Sequence, residues 1–574
     1  MPFTSTAAPG LYPARPSYSK EDLCAAYVGR ELDELRSPAL LVDKQKVERN
    51  CTELIDAVQH AGVCARVHVK THKTIEGALL QLGDTLKSIM VSTLAEARYF
   101  AASGLFQDIL YAVPLSPDKI QEVHQLAQLV DQFHVFVDND TIIDALERYA
   151  IAVGPTATMA VNPSSAVSQG LAGPGAPGNT KPMFRAFLKI DTGYGRAGIP
   201  SNTSTAIALA TRLHNSPHIS FSGLYSHSGH SYSSPNITSA LDIAKHEVRE
   251  TLTLAQELRS LGISAPYASI GATPSVKALL EVAGAGREAI MEARLATGAA
   301  TALLRETSEL ASNVAQFALD DDQEAADNKA NNDNNNNHNN HNTNNPTPPS
   351  RPLPPHQDTN NTAILQPNGS SVPHDYKLEV HLGNYIFLDV QQTTGMPWPL
   401  SRCAATVLTR VLSHYPHRNE VLIDAGATAL SKDTAGPRGT GGFGTVLLPC
   451  PNPSSLPQTS SSPAPTTSDQ VNSSAHLHDH PQTLALTRIS QEHGIIDVAP
   501  LLAHHHQQQE SNNEETTATA TTTTTTTPMP LGMEIGQTLQ IVPNHACLAA
   551  ASFDWYYVVE NEKVVDVWVP CRGW

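Results

Sequence analysis

The sequence of 574 residues contains no run of lysine and arginine, and its formal net charge is −18. Nucleic-acid binding needs a basic surface against the phosphates, so this charge argues against such a partner. No stretch is apolar over the length needed to span a bilayer, and Met1–Lys20 has no continuous apolar segment of the kind found in signal peptides. These absences predict a soluble, cytoplasmic protein that acts on a small molecule.

Cysteine is also scarce, and several long segments have almost no apolar residues. The seven cysteines are odd in number and widely spaced, which indicates reduced thiols rather than a disulfide framework. Residues 328–345 are almost all Asn and His, and residues 519–527 are nearly all Thr. Such segments cannot bury enough apolar surface to offset the entropy of ordering. We therefore predict disordered insertions at about 320–375, 452–481 and 504–530.

Short apolar runs alternate with amphipathic stretches through the first half of the chain. Helical patterns extend from Lys44 to Ala61 and from Ser239 to Leu261. The strand-like runs include Ala39–Val42, Ala65–Lys70, Ser88–Val91, Asp108–Ala112, His134–Val137, Arg185–Ile190 and Ser220–Tyr225. This rhythm predicts an α/β fold. We favour a (β/α)8 TIM-like barrel over the competing doubly wound open sheet.

After about residue 305 the pattern changes to strands separated by Gly and Pro turns. The strand-like runs are Tyr385–Leu388, Glu420–Ile423, Thr538–Val542 and Trp555–Val559. They predict a C-terminal all-β domain whose hairpin loops carry the low-complexity insertions. The predicted organisation is a disordered N-terminus at 1–20, a segment at 21–44 that packs with the β domain, a barrel at 45–305 and the β domain at 306–574.

A basic cluster, Arg66-Val67-His68-Val69-Lys70-Thr71-His72-Lys73, follows an early strand. A barrel presents its chemistry at the C-terminal ends of its strands, so a lysine here faces the mouth of the barrel. Lysine amines form Schiff bases with pyridoxal phosphate and can then remove a Cα proton. Lys70 is therefore the candidate nucleophile, with Lys73 as the second choice. Taken alone, such a cluster is more often a solvated surface loop.

Turns rich in Gly and Ser follow later strands. In Gly193–Gly198 the glycines allow a ligand to approach the backbone closely, and Arg196 offers a positive charge. Two further turns are Gly223–Tyr232 and Ser269–Ser275, and the small residues of the second offer N–H groups and hydroxyls that suit a phosphate. Each turn alone fits a binding site and a plain connection equally well.

His545 and Cys547 follow the predicted strand Leu539–Val542. On an extended segment alternate side chains share a face, so both are candidate ligands of one metal ion. Imidazole and thiolate favour zinc, and two protein ligands leave positions open to water or substrate. An isolated His-x-Cys is more often a buried cysteine beside an ordinary histidine. Other histidines, His338, His341 and His504–His506, lie in low-complexity sequence and are treated as adventitious metal binders.

In this order the clusters resemble the eukaryotic D-serine dehydratases, which are fold-type III pyridoxal-phosphate enzymes related to D-threonine aldolase and alanine racemase. The resemblance begins at Tyr27–Arg30 and Ser37–Asp43, includes Gln491–Gly494 and ends near Arg572–Trp574. It places the cofactor-bearing lysine at Lys70 and the zinc pair at His545 and Cys547. The implied cofactor contacts are Tyr225, Tyr232, Thr273, Gly383 and Asn384. The aldolase branch typically has Asp in place of Cys547 and uses manganese or magnesium.

The resemblance implies a homodimer that uses pyridoxal phosphate and Zn²⁺ to convert D-serine to pyruvate and ammonia. One alternative is retro-aldol cleavage of D-3-hydroxy amino acids, as in D-threonine aldolase. Another is a non-catalytic pyridoxal-phosphate carrier on the same barrel, and a third is a pseudoenzyme loosened by its insertions. Carriers of this kind lack a β domain and a metal pair, whereas this sequence predicts both.

Overall fold

The structure is a computed structural model that describes residues 18–154, 182–282, 376–394, 396, 398–435, 441–448, 483–503 and 533–574. The three predicted insertions and the first 17 residues lie outside these ranges. None of the helices within them is both long enough and apolar enough to cross a membrane.

The described elements alternate in the first part of the chain and are mostly strands in the second. The strands are β1 (Ala39–Asp43), β2 (Cys64–His68), β3 (Ser88–Val91), β4 (Asp108–Pro114), β5 (Gln132–Val137), β6 (Phe184–Asp191), β7 (Ile199–Pro200), β8 (Ile219–Tyr225), β9 (Tyr267–Ile270), β10 (Lys377–Leu382), β11 (Ala405–Tyr415), β12 (Glu420–Ile423), β13 (Gly444–Leu447), β14 (Thr483–Ile489), β15 (Gly494–Asp497), β16 (Thr538–Pro543), β17 (Tyr556–Glu560) and β18 (Lys563–Trp568). The helices are α1 (Lys20–Tyr27), α2 (Lys44–Ala61), α3 (Ile75–Leu82), α4 (Leu94–Ala102), α5 (Ile120–Ala127), α6 (Asp140–Val153), α7 (Ser204–Asn215), α8 (Ile237–Ser260), α9 (Val390–Thr393), α10 (Ala427–Leu430) and α11 (Ala546–Ala551). One further helix begins at residue 273.

Eight parallel strands form a closed barrel in the order β2, β3, β4, β5, β6, β8, β9, β10. The ring is complete because β5 pairs with β6 and β10 pairs with β2. This closure confirms the predicted TIM-like barrel and excludes the open sheet. Outside the barrel, α2 buries Val47, Leu54 and Val58, which recur at helical spacing and so share one face. Inside it, an apolar layer contains Met90, Leu110, Phe136, Phe187 and Tyr225.

The last barrel strand lies beyond the predicted end of the barrel. β10 pairs in parallel with β2 on one side and with β9 on the other, so the predicted boundary at 305/306 falls inside the barrel domain. The insertion at about 320–375 therefore joins two barrel elements and not two strands of the β domain. The predicted strand Tyr385–Leu388 is also wrong, because Asn384–Ile386 form a 3-10 turn that leads out of the barrel.

The C-terminal domain is built around an antiparallel sheet. Its strand order is β12, β15, β14, β13, β16, β11, β1, β17, β18. β11 also pairs with β12 beyond an irregularity between Val411 and Ser413, so the strands from β11 to β16 close on themselves. β1, from the N-terminal segment, lies between β11 and β17.

A polar contact fixes the connection between the two domains to the first barrel helix. Asn50 on α2 donates hydrogen bonds to the carbonyl oxygens of Ile386 and Arg402, each at 3.2 Å. The Asn50 Oδ1 atom accepts two hydrogen bonds from the Arg402 guanidinium, which also pairs with Glu53 at 2.7 Å. Because these groups are mostly buried, the contact holds the domains in a defined orientation.

Candidate active site

The predicted cofactor residues all follow the C-terminal ends of four neighbouring barrel strands. Lys70 lies in the 3-10 turn Val69–Thr71, directly after β2. Tyr225 ends β8, Tyr232 lies in the turn Gly229–Ser233 that follows, Thr273 begins the helix after β9, and Gly383 and Asn384 follow β10. Since β8, β9, β10 and β2 are adjacent, the structure brings these residues to one sector of the barrel mouth.

The turn that carries Lys70 is held by its own strand end. The Nδ1 atom of His68 accepts a hydrogen bond from the Lys70 N–H at 3.3 Å. Burial and the neighbouring cationic Lys70 lower the pKa of His68 well below its usual range, so the ring is neutral and able to accept. The second choice, Lys73, pairs with the buried carboxylate of Glu96 at 2.9 Å. This ion pair occupies the Lys73 ammonium and leaves Lys70 as the candidate nucleophile.

The loop after β9 has the features of a phosphate site. Thr273 Oγ1 is buried and makes no hydrogen bond of normal geometry within the described ranges. The helix that begins at this residue directs its first N–H groups towards the same space. The Tyr232 hydroxyl lies close to Thr273, and burial raises the pKa of Tyr232 to about 12, so the phenol stays a hydrogen-bond donor.

Gly383 and Asn384 connect the end of β10 to the turn that carries Lys70 and, through Asp389, to the start of α11. A Cβ atom on Gly383 would lie 2.8 Å from the carbonyl oxygen of His68, so only glycine allows β10 to approach the lysine turn this closely. Asn384 donates to Asp389 at 2.6 Å, and its own buried Oδ1 has no partner in the described structure. Asp389 also accepts from the Ala546 N–H at 2.8 Å.

The two predicted metal ligands meet across a strand-to-helix turn. His545 is the extended cap residue of α11, and Cys547 lies in its first turn. The prediction that both stand on an extended segment is therefore wrong, and the turn brings them together. Their side chains interact directly. Burial opposes a charge on His545, but Cys547 and nearby carboxylates raise its pKa to about 9. Despite burial, the contact with His545 lowers the pKa of the Cys547 thiol.

The donor set suits zinc. Asp433 accepts a hydrogen bond from His545 Nδ1 at 2.7 Å, so Nε2 is the ring atom that would bind a metal, with release of the proton it shares with Cys547. A lowered thiol pKa favours the thiolate that zinc requires. Within the ranges that the structure describes, no group of three or more His, Cys, Asp and Glu residues is arranged to hold a metal. His338, His341 and His504–His506 lie outside those ranges.

The lysine turn and the metal pair lie against each other, although they belong to different domains. Thr71 Oγ1, one residue from Lys70, is 3.2 Å from the Sγ atom of Cys547. The positive charge of Lys70 contributes to the lowered pKa of the Cys547 thiol. The turn that carries Lys70 therefore adjoins the candidate metal ligands of the β domain.

Several polar residues at the site were not predicted from the sequence. Burial lowers the pKa of Lys189 to about 7, and its ammonium lies 4.8 Å from the centroid of the Tyr225 ring. His381 stacks on Tyr225 with a centroid distance of 4.1 Å. Lys189 and His381 are both polar residues near the end of a buried strand, and this pattern could have identified them in the sequence. Arg196, in contrast, is exposed and lies over the Tyr194 ring at 5.2 Å.

A parallel barrel with a lysine at its mouth, joined to a β domain, is the architecture of the fold-type III pyridoxal-phosphate enzymes. Residues 42–283 match the family described as alanine racemase, N-terminal domain, and residues 404–559 match the putative serine dehydratase domain. The D-serine dehydratase of Schizosaccharomyces pombe is 27% identical over 567 residues, which covers 97% of this chain and 96% of that protein. The D-serine dehydratase of Dictyostelium discoideum is 25% identical, with 95% and 98% covered.

A solved structure of D-threo-3-hydroxyaspartate dehydratase from Delftia sp. HT23 shares the fold, with a TM-score of 0.60 and 21% identity over 95% of this chain and 100% of that one. The predicted resemblance to the eukaryotic D-serine dehydratases, among the fold-type III pyridoxal-phosphate enzymes, is thus confirmed. The residues fit that cofactor, because the Thr273 and Tyr232 hydroxyls and a helix N-terminus lie at the same sector of the barrel mouth as Lys70.

Proposed function

We propose that this protein dehydrates D-serine to pyruvate and ammonia, with pyridoxal phosphate bound by Lys70 and zinc bound by His545 and Cys547. The contact between Thr71 and Cys547, at 3.2 Å, carries the proposal. Removal of a β-hydroxyl requires one group that takes the Cα proton and another that assists the departure of hydroxide. The contact supports the proposal because Thr71 directly follows Lys70, so the segments that carry the two candidates adjoin each other.

Lys70 has two tasks in this proposal. Its amine holds the cofactor, and when the substrate amine takes its place, the freed Nζ atom accepts the Cα proton. When bound, pyridoxal phosphate accepts the electron pair that this proton leaves behind. The bond between His68 and the Lys70 N–H restrains the backbone of the turn from which the amine extends.

His545 and Cys547 hold the second group. A zinc ion at this pair supplies a Lewis acid for the substrate hydroxyl, which is otherwise a poor leaving group. Asp433 holds the Nδ1 side of the His545 ring, which directs Nε2 to the proposed metal, and Thr71 contacts the thiol from the barrel side. The His545 side chain is 31% exposed, so a small substrate can reach the open positions.

The remaining predicted contacts hold and orient the cofactor. Thr273 and Tyr232 present hydroxyls, and Asn384 presents an unpaired carbonyl oxygen. Gly383 allows the close approach of β10, and the Tyr225 ring forms part of the barrel wall beneath. None of these groups takes part in proton transfer in our proposal.

The substrate is tested with the purified holoenzyme and D-serine, D-threonine or L-serine, in separate assays for keto acid and for glycine with aldehyde. We expect pyruvate from D-serine and no product from L-serine. Glycine and an aldehyde as the main products from D-threonine would instead establish aldolase activity. A retained cofactor absorbance without any product would indicate a carrier.

The role of zinc is tested by its removal. A chelator, or the Cys547→Ala substitution, is expected to abolish pyruvate formation and to leave the cofactor absorbance largely unchanged, since Lys70 holds the cofactor independently. Addition of zinc should restore pyruvate formation in the chelator-treated parent but not in Cys547→Ala. The matched control is Cys24→Ala, because Cys24 lies on α1 outside the site. Undiminished activity in zinc-free protein would contradict the proposal.

The assembly and location stay predictions of the resemblance. We propose a homodimer, which light scattering of the purified protein measures directly, and a cytoplasmic location, which a fluorescent fusion tests.

A further inference from the structure

Two acidic residues inside the barrel form an ion-pair network around a buried arginine. Arg66 is fully buried, and its Nε atom donates to both carboxylate oxygens of Glu379 at 3.1 and 3.2 Å. Its terminal nitrogens donate to Asp108. Paired in this way, the Glu379 carboxylate acts only as an acceptor.

This network fixes the proton on a neighbouring histidine. Ser269 Oγ donates its single proton to Glu379 Oε1 at 2.7 Å. Ser269 Oγ also lies 3.1 Å from His381 Nδ1, so in that contact the imidazole must be the donor. Burial and the nearby His227 lower the pKa of His381 well below its usual range, which keeps the ring neutral. With the proton on Nδ1, the Nε2 atom carries a bare lone pair.

That lone pair has no donor in the described part of the chain. His381 Nε2 is buried without a hydrogen-bond partner. The carbonyl of Gly271, which lies nearby and accepts from His227 Nδ1 at 2.7 Å, has no proton to donate to this atom. A buried acceptor of this kind costs free energy unless a ligand supplies the missing N–H or O–H.

The position of His381 identifies that ligand group. β10 lies between β2, which leads to Lys70, and β9, which leads to Thr273. Pyridoxal phosphate joins the lysine through one ring substituent and carries the phosphate on the next, and its ring nitrogen lies opposite the lysine bond. From the proposed cofactor site, on which this step rests, we infer that His381 Nε2 accepts a hydrogen bond from the protonated ring nitrogen of pyridoxal phosphate. His381 thereby keeps the proton on the ring.

The test compares the binding of two cofactors to the apoprotein: pyridoxal phosphate and its deaza analogue, in which C–H replaces the ring nitrogen. We expect the parent to bind pyridoxal phosphate about tenfold more tightly than the analogue, as for one hydrogen bond to a charged group. His381→Phe keeps a ring against Tyr225 and should bind both within about twofold of each other, because it has no acceptor. His381→Gln, which restores one, should recover part of the preference.

Two controls make the outcome specific. His227→Phe removes the other stacked histidine and should retain the parent preference, whereas Ser269→Ala, which releases the His381 tautomer, should reduce it. The nitrogen-15 shift of ring-labelled cofactor should report a protonated nitrogen in the parent and a changed one in His381→Phe. A parent that binds both cofactors equally, or a preference lost in His227→Phe and kept in His381→Phe, overturns the assignment. Failure of the parent to bind pyridoxal phosphate would overturn the cofactor site itself.

Discussion

In the proposed zinc site, Asp433 is the carboxylate that would orient one of the two ligands. It accepts from His545 Nδ1 at 2.7 Å and thereby fixes both the tautomer and the direction of the ring. We expect Asp433→Ala to weaken zinc binding by about 10- to 100-fold, the usual cost of losing such a partner. Competition with a chromophoric chelator measures this affinity. Glu492→Ala, a carboxylate that bonds Thr428 in the same domain, is the control, and equal zinc affinities in the two variants would contradict the role.

Asp108 gives the barrel a pH-dependent stability. Burial favours its neutral form, but hydrogen bonds from His134 and Arg66 hold the pKa of Asp108 well below its usual range. Below about pH 4 the unfolded carboxyl therefore binds a proton that the folded one does not, so this contribution is present above that pH and is lost as the pH falls.

Asp108→Asn should consequently cost about 3 kcal/mol near neutral pH, because Arg66 loses one of its two buried partners. The variant should also lose less stability than the parent as the pH falls from about 5 to about 3. Urea unfolding at several pH values measures both effects. Asp118→Asn changes an exposed carboxylate and should stay within about 0.5 kcal/mol of the parent throughout. A parallel pH dependence in parent and Asp108→Asn would refute the assignment.

A sequence suggests candidate residues with reactive groups more readily than the residues that support them. Lys70, His545 and Cys547 stand in short motifs, and their residue types already restrict the chemistry. His381 and Asp433 act only through contacts: His381 reaches Ser269, 112 positions away, and Asp433 reaches His545, also 112 positions away. A local sequence pattern cannot reveal a contact between residues so far apart along the chain.

Among the elements, β8 contains the tightest backbone approach in the barrel. Gly223 has a φ of 124°, and a Cβ atom there would lie 2.0 Å from the carbonyl oxygen of Tyr267 on β9. Gly223→Ala should therefore force the two strands apart and destabilise the protein by about 3 kcal/mol or more. Gly262→Ala is the control without a clash, because its φ of 75° is also positive but nothing lies within 4 Å. This control should cost about 1–2 kcal/mol. Equal losses in chemical denaturation would show that β8 shifts freely.

The elements also show where prediction from the sequence stopped. The helix α2 coincides with its predicted bounds, because its apolar residues recur at helical spacing. The sequence did not identify β10 as a barrel strand. A long low-complexity segment separates it from β9, and a single apolar run does not reveal which sheet a strand joins. The run Tyr385–Leu388 is buried at the domain junction, which accounts for its apolar residues. Its first two residues belong to a 3-10 turn, and the run does not form a strand.

At the scale of the whole molecule, the site exists only where the two domains meet. Asn50 fixes the linker, Asp389 binds the Ala546 N–H, and Thr71 contacts Cys547. The candidate cofactor ligands belong to the barrel side, whereas the candidate metal ligands belong to the β domain. Such shared contacts couple the unfolding of one domain to that of the other.

Binding of pyridoxal phosphate to the barrel should consequently protect the β domain as well. At a concentration about 100-fold above its dissociation constant, the cofactor adds about 2.7 kcal/mol, or roughly 100-fold in the exchange of the slowest amides. We expect this slowing in β6 and β8 and equally in β11 and β16, measured by hydrogen exchange of the apo and holo forms.

Asn50→Ala should confine the protection to the barrel strands, because it releases the linker carbonyls and Arg402. Asn236→Ala, which removes the cap of α8, should lower stability by about 1 kcal/mol and leave the coupling intact. Protection restricted to the barrel in the parent would mean that the domains unfold independently and that the junction only aligns the two halves of the site.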